Sequence, residues 1–207
     1  AVAACGVSGA TFSASGPCLV DGRAAGAFPD LEARAPRSLV GKAPSSLDSG
    51  RNCSTGALGT LAAHDVHELD FGGSTWDEGQ GAGTTIATLA LPNAPFPLAW
   101  AEEFYLAGAI NAGKTDNVKS SHPTIAGVRD AFRIDALNDL SQQAIVLWQL
   151  GNDVRIVLVA THVDPNASMA AHEARVQAAI QAALAAAPGN DGPVITPSGS
   201  SPVLSSP

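Results

Sequence analysis

Residues 142–162, QQAIVLWQLGNDVRIVLVATH, contain two strongly apolar segments separated by a short polar one. Both apolar segments are rich in Val, Ile and Leu, which favour strands, and the intervening LGND is typical of a hairpin turn. A similar turn sequence, NDLS at 138–141, separates the first segment from VRDAFRIDAL at 128–137. The three segments therefore predict three consecutive antiparallel strands.

Further strands are predicted on the N-terminal side of this region. VHELDF at 66–71 alternates apolar and polar residues, as a half-buried strand does, and TTIATLAL at 84–91 is a second such segment. GGSTWDEGQGAG at 72–83 is predicted to be the glycine-rich turn between them. VKSSHPTIAG at 118–127 is also strand-like.

Helices are predicted between and after the strands. LAWAEEFYLAGAINAG at 98–113 has a helical pattern and Gly113 in the position of a terminating glycine. Ser168 precedes a second helical segment, with Val176 and Ile180 four residues apart. A short helix is predicted from Ser54 or Thr55 to His64. This order of elements predicts an α+β fold in which helices pack on an antiparallel sheet.

The predicted domain organisation has four parts. Residues 1–30 lack periodicity and are expected to be a lipobox remnant followed by a flexible tether. Residues 31–65 are cut by proline and glycine, and we expect an irregular segment with one short helix. Residues 66–187 form the α+β domain. Residues 188–207 are rich in Pro, Ser and Gly, which predicts a disordered tail.

Residues 66–187 resemble the PsbP/Mog1-like fold, which includes mycobacterial lipoproteins of the LpqN type. The resemblance is carried by DFGGSTW at 70–76, by the helix after TTIATLALPN, and by HPTIAGVRDAFRID at 122–135 before a hairpin and a closing helix. Members of this group share no catalytic residues, and they act as photosystem subunits, Ran-binding factors and lipid or protein binders. The resemblance therefore implies a binding or scaffolding role, although a fold does not fix a function.

The charge balance argues against a nucleic-acid partner. The chain has 11 Lys and Arg residues against 19 Asp and Glu, a net charge of −8, and its basic residues form no cluster that phosphates would require. No apolar run approaches the ~20 residues that cross a bilayer. An acidic surface also disfavours contact with anionic lipid headgroups.

Val2-Ala3-Ala4-Cys5 resembles the lipobox of bacterial lipoproteins, in which the cysteine sulfur receives diacylglycerol. This resemblance implies an exported protein with a signal peptide, lipidated at Cys5 and attached to the membrane outside the cytoplasm. The alternative is an ordinary signal-peptidase site before Ala1, which would leave Cys5 as a free thiol.

If Cys5 carries lipid, Cys18 and Cys53 remain as a pair of cysteines. In an oxidising compartment they would form a disulfide that closes a poorly periodic loop. The alternative is two reduced, buried cysteines in a cytosolic protein.

Several motifs suggest chemistry, but their contexts do not support it. Residues 108–115, GAINAGKT, match the phosphate-binding P-loop pattern, yet they lie at the end of a predicted helix instead of between a strand and a helix. His64 and His67 are weak candidates for a metal site, since no third ligand lies at a suitable spacing and a strand from Val66 would separate them. We expect no catalytic residue, no metal and no cofactor.

The predicted function is that of a binding or scaffolding lipoprotein with a protein partner in an extracytoplasmic assembly. One alternative is a carrier of a lipid or small apolar ligand, which requires a groove between sheet and helix. A weaker alternative is a hydrolase. The candidate groove residues are large aromatic side chains: Trp76, Trp100, Phe104 and Trp148.

Overall fold

A computed structural model describes residues 11–138, 141–163 and 169–186 of the 207-residue chain. Cys5, which the sequence predicts to carry lipid, and residues 188–207, which it predicts to be a tail, lie outside the described residues. The strands are β1 Gly22–Ala24, β2 Ser46–Asn52, β3 Leu69–Gly79, β4 Ala82–Ala90, β5 Thr115–Ser121, β6 Phe132–Asn138, β7 Ser141–Leu150 and β8 Asp153–His162. The helices are α1 Pro29–Glu32, α2 Thr55–Leu58, a 3-10 helix Gly59–His64, α3 Leu98–Asn111 and α4 Met169–Ala186.

In the described residues these eight strands form one antiparallel sheet, so the predicted α+β class is confirmed. The strand order is β1-β2-β3-β4-β8-β7-β6-β5. The hairpin predicted at 142–162 is present, with Leu150 opposite Asp153 and the turn at Gly151 and Asn152. Two meanders, β1–β4 and β5–β8, therefore meet where β4 pairs with β8 at the centre of the sheet.

Helix α3 connects these two meanders. It leaves the end of the central strand β4 and leads into β5 at the far edge, so the connection passes over β8, β7 and β6. Four inter-strand spacings of ~4.8 Å amount to about 19 Å, and a helix of 14 residues is about 21 Å long at ~1.5 Å per residue. The length of α3 thus matches the distance that its connection must cover.

The sheet has a core on each face. The face of the sheet that α3 covers, which we call the α3 face, includes Leu89, Phe132, Leu147 and Ile156. On the opposite side, the α4 face packs against α4 through another set of side chains: Trp76, Ile86, Val146, Trp148, Val157 and Val159. Val176 and Ile180 of α4 are buried there, as their four-residue spacing predicts. In the described part of the chain, no helix has both the length and the hydropathy needed to cross a lipid bilayer.

The sheet extends further toward the N-terminus than the predicted domain at 66–187. Strands β1 and β2 lie in segments that the sequence predicts to be a tether and an irregular region, yet β2 pairs with β3 along its whole length. The pattern of β2, SLDSGRN, lacks apolar alternation because its buried positions are polar. The Ser49 hydroxyl donates to the Glu32 carboxylate at 2.7 Å. The Arg51 guanidinium donates to Glu68 at 3.0 Å and to the carbonyl oxygen of Ser13 at 2.6 Å.

The predicted glycine-rich turn at 72–83 is wrong over most of its length. Gly72 and Gly73 are strand residues of β3, and the turn is confined to Gln80 and Gly81. These two strand glycines permit close packing: a Cβ on Gly72 would lie 2.5 Å from the Leu31 Cβ of α1, and one on Gly73 would lie 2.5 Å from the Ile86 carbonyl oxygen. Glycine here marks a close approach of neighbouring elements instead of a turn.

A buried arginine lies on the α4 face. Arg155 is fully buried, and its Nη2 donates to the Arg34 carbonyl oxygen at 3.0 Å. Its Nε and Nη1 have no hydrogen-bond partner in the described part of the chain. The hydroxyl of Thr88, which lies opposite Arg155 on β4, has none there either. Burial, followed by repulsion from Arg34, lowers the pKa of Arg155 to about 10. The buried charged residues of the described strands are Arg51 of β2, Asp70 of β3 and Arg155 of β8.

Cys18 and Cys53 form a disulfide, as predicted for an oxidising compartment. Cys18 precedes β1 and Cys53 follows β2, so the bond joins the start of β1 to the end of β2 at one end of this antiparallel pair. Next to it, the carboxylate of Asp21 accepts hydrogen bonds from the backbone N–H groups of Cys53 and Ser54 and from the Ser54 hydroxyl. These hydrogen bonds lower the pKa of Asp21.

Removing the disulfide should destabilise the protein substantially. The cysteines are 35 residues apart, and closure of a loop of that length is worth roughly 3–4 kcal/mol in the chain-entropy model. We expect the double variant Cys18→Ser/Cys53→Ser to lose about this much free energy of unfolding in a urea titration. The matched comparison is the parent protein under reducing conditions. If the double variant and the reduced parent were as stable as the oxidised parent, the prediction would be contradicted.

Candidate functional site

A groove with a volume of about 630 Å³ lies between α3 and the sheet. We call it the α3 groove. One wall is α3 from Phe104 onward, the second is α2 with the start of the 3-10 helix, and the floor is formed by β6, β7 and β8 on the α3 face. Side chains of Ile134, Ile145 and Leu158 belong to the floor. The volume lies within the ~300–1,000 Å³ range of sites for small organic molecules.

Small residues on α3 leave the space that the groove occupies. Ala107, Gly108, Ala109 and Ala112 all border it. A Cβ built on Gly108 meets no heavy atom within 4 Å. Ala101, nearer the start of the helix, is fully buried, and it is the only residue of α3 that is. The helix therefore packs closely on the sheet at its N-terminal half and stands away from it at its C-terminal half.

The groove wall is mostly apolar, and no described residue that borders it is charged. Its polar side chains are those of Thr60, Tyr105, Asn111, Thr115 and Gln143. The buried Thr60 hydroxyl has no hydrogen-bond partner in the described part of the chain. The arrangement can therefore hold an uncharged molecule and offer it a few hydrogen-bonding groups.

Tyr105 is the only tyrosine of the protein and lies in the wall of this groove. Its ring packs edge-on against Phe104, with the ring centres 5.1 Å apart. Burial raises the pKa of Tyr105 well above its ordinary value, and within the described residues neither a charge nor a hydrogen bond contributes to that shift. The phenol is neutral at physiological pH, as an ordinary tyrosine is, and its hydroxyl makes no hydrogen bond with a described residue.

Of the four aromatic residues predicted to line a groove, Phe104 borders the α3 groove, and Trp76 borders a separate surface depression. Trp100 instead stacks on the ring of His64, with the centroids 4.5 Å apart. Trp76 and Trp148 lie on the α4 face, and the indole nitrogen of Trp76 donates to the Lys42 carbonyl oxygen at 3.0 Å. Neither of these two strand tryptophans belongs to the α3 face.

Sequence reasoning did not identify Tyr105, Thr60 or the alanines that shape the groove. A signal for them does exist in the run LAGAIN at 106–111, where small residues dominate a helix with little segregation of polar and apolar positions. A helix that packs tightly along one face normally places large apolar side chains there.

His64 and His67 are not brought together as metal ligands. The Nε2 of His64 lies 2.8 Å from the Glu103 carboxylate on α3, whereas His67 pairs with Asp65 at 3.1 Å. Over residues 11–138, 141–163 and 169–186, no group of three or more His, Cys, Asp or Glu side chains is arranged to hold a metal ion. The contact of His64 with Glu103 and Trp100 instead fastens the 3-10 helix to α3.

A buried histidine, His172, helps to hold α4 on the sheet. The Nδ1 of His172 lies 2.7 Å from the Thr161 hydroxyl of β8. Next to it, the Arg133 guanidinium of β6 donates to Glu173 at 2.8 Å and to Asp135 at 2.8 Å. Burial is the main cause that lowers the pKa of His172, and the hydrogen bond from Arg133 is the main cause that lowers the pKa of Glu173. These contacts connect α4 to the sheet.

No protein family, curated protein or solved structure matches the chain. The α3 groove is therefore interpreted from its own geometry.

The ionisation of Tyr105 provides a direct measurement of its surroundings. Because burial raises its pKa, phenolate absorbance should not develop until the pH is clearly above the ordinary value of ~10. A folded-state pKa above the unfolded value means that folding stability falls as the pH rises beyond ~10. Ultraviolet difference absorbance of the native protein, compared with the protein in urea, measures the shift.

Tyr105→Phe is the control for this titration. It should abolish the phenolate signal, since no other tyrosine is present, and it should reduce the loss of stability at alkaline pH. Ionisation of the native protein at the ordinary pKa would show that the hydroxyl faces bulk water.

Proposed function

We propose that the protein is an exported carrier that binds a small apolar ligand in the α3 groove. The single observation that carries this proposal is the groove itself, about 630 Å³ of mostly apolar, uncharged space between helix and sheet. A closed helix–sheet interface would have favoured a scaffolding role instead. The scaffolding role remains the second proposal, and it rests on the resemblance of residues 66–187 to the PsbP/Mog1-like group.

A hydrolase receives no support from the histidines of the described residues. Their hydrogen bonds and ion pairs go to carboxylates, except that of His172, which goes to Thr161. A serine nucleophile would need a histidine within hydrogen-bonding distance.

The location we propose is extracytoplasmic, with attachment to the membrane through lipid on Cys5. The Cys18–Cys53 disulfide supports an oxidising compartment. Arg51 binds the carbonyl oxygens of Ser13 and Pro17, so the chain is held to the domain soon after Thr11. Five residues separate Cys5 from Thr11, and the six steps between them span at most ~22 Å. An anchor at Cys5 would therefore keep the groove close to the membrane surface.

Ligand binding can be tested with diphenylhexatriene, a neutral hydrocarbon that fluoresces in apolar surroundings. We expect the purified protein to bind it saturably. Leucine at Ala109, in the wall of the groove, should fill part of the space and weaken binding about tenfold or more, equivalent to ~1.4 kcal/mol.

The matched control is the same substitution elsewhere on the same helix. Ala99 is exposed and does not border the groove, so Ala99→Leu should bind the probe as the parent protein does. Thermal unfolding of both variants establishes that they fold. Absence of probe binding by the parent protein, or equal effects of the two substitutions, would refute the carrier proposal.

Lipidation at Cys5 can be tested by measuring the intact mass of protein isolated from membranes of the native host. We expect a chain that begins at Cys5 and carries a diacylglycerol group, since two acyl chains give stable anchoring. Cys5→Ser should shift the protein out of the membrane fraction. A chain that begins at Ala1 with an unmodified thiol would disprove the anchor and leave the carrier proposal intact.

A further inference from the structure

We infer that the ligand of the α3 groove is a neutral amphiphile: an apolar chain or ring system that bears one uncharged hydrogen-bonding group, such as a hydroxyl or an ester. This inference rests on the proposed carrier function and specifies the class of ligand. It depends on three properties of the groove: the absence of charged residues from its wall, the Tyr105 hydroxyl that a ligand could hydrogen-bond, and the apolar floor.

The lack of charge disfavours an anionic ligand. A carboxylate or phosphate that leaves water needs a cationic partner, or its burial costs several kcal/mol. None of the described residues that border the groove supplies a positive charge. Lys114, which precedes the groove residue Thr115, borders a neighbouring surface depression instead and has an interaction partner of its own. The net charge of −8 further opposes the approach of anions.

A pure hydrocarbon would leave polar groups of the wall unpaired. The Tyr105 phenol lies in an apolar environment in which burial alone raises its pKa, so it stays protonated and can both donate and accept. The Thr60 hydroxyl lies in the same wall, buried and without a partner in the described part of the chain. An unsatisfied polar group in such surroundings costs ~1–3 kcal/mol, and a ligand hydroxyl or carbonyl would recover part of that cost.

The remaining contacts are those of an apolar body. Ile134, Ala136, Ile145 and Leu158 form the floor. Ile145 and Leu158 lie opposite each other on neighbouring strands and are only partly buried by the protein itself. A ligand chain over these residues would remove apolar surface from water at ~25 cal/mol per Å². A ligand with its polar head at Tyr105 and its apolar chain over these strands would contact both the hydrogen-bonding groups of the wall and the apolar floor.

Competition between matched ligands tests the inference. Diphenylhexatriene is first bound to the parent protein, and it is then displaced by 1-dodecanol or, at a pH where it is ionised, by dodecanoate, each as monomers in solution. We expect dodecanol to displace the probe at a concentration about tenfold lower than dodecanoate. Tyr105→Phe should lower the ratio of dodecanol affinity to hydrocarbon-probe affinity about threefold to tenfold, the effect of losing one hydrogen bond that only dodecanol can make.

A second readout comes from Tyr105 itself, because it is the sole tyrosine. Bound dodecanol should change its near-ultraviolet absorbance, and dodecanoate at the same concentration should not. If Tyr105→Phe alters thermal stability, this spectral change in the parent protein tests the same contact without a variant.

The outcomes separate the two proposals. Failure of the hydrocarbon probe to bind would refute the carrier function, and the ligand class with it. Probe binding with equal or stronger displacement by dodecanoate would overturn the neutral-ligand inference and leave the carrier function standing. Preference for dodecanol without any effect of Tyr105→Phe or any tyrosine signal would overturn the placement of the head group at Tyr105.

Discussion

The crossing of the sheet by α3 determines the rest of the structure. Because β4 is central and β5 is at an edge, the connecting chain has to pass over three intervening strands. A helix is the economical solution, since its own backbone hydrogen bonds are satisfied while it lies on an apolar surface. The C-terminal half of the helix carries the small residues Ala107, Gly108 and Ala109 where it lies over the floor strands. The groove beneath its C-terminal half follows from this geometry and from the small side chains there.

The sequence predicted those elements whose stability comes from apolar periodicity. The hairpin of β7 and β8 and helix α4 have such patterns, and both were located to within a few residues. Strand β2 could not be located in this way, because its buried residues are Ser49 and Arg51 and their partners are distant in sequence. The same limitation applies to Gly72 and Gly73, since a glycine that permits close packing has the same appearance in a sequence as one that makes a turn.

The site was less predictable than the fold, for a related reason. A groove depends on which strand residues share a face of the sheet and on where a helix carries only small side chains. Both can be predicted only when the strand register and the position of the helix on the sheet are known. Large aromatic residues were reasonable candidates for a ligand wall, but a large side chain more often fills the space next to it. Trp148 is 3% exposed and belongs to the packed α4 face. Alanine and glycine residues define the groove because they do not fill the space next to them.

The disulfide connects the N-terminal segment, which carries the predicted anchor, to the residue that precedes the α2 wall of the groove. Cys53 is followed within three residues by Gly56, the first groove residue of α2, and its partner Cys18 lies on the segment that leads back to Cys5. The N-terminal segment is therefore attached to β2 through the Arg51 contacts with Ser13 and Pro17, and to the residue after β2 through the disulfide. The wall formed by α2 is the one most directly tied to that segment, whereas the floor belongs to the central strands. In the proposed membrane-anchored carrier, an oxidised bond at this position would keep the α2 wall in place, next to the surface at which a neutral amphiphile is concentrated.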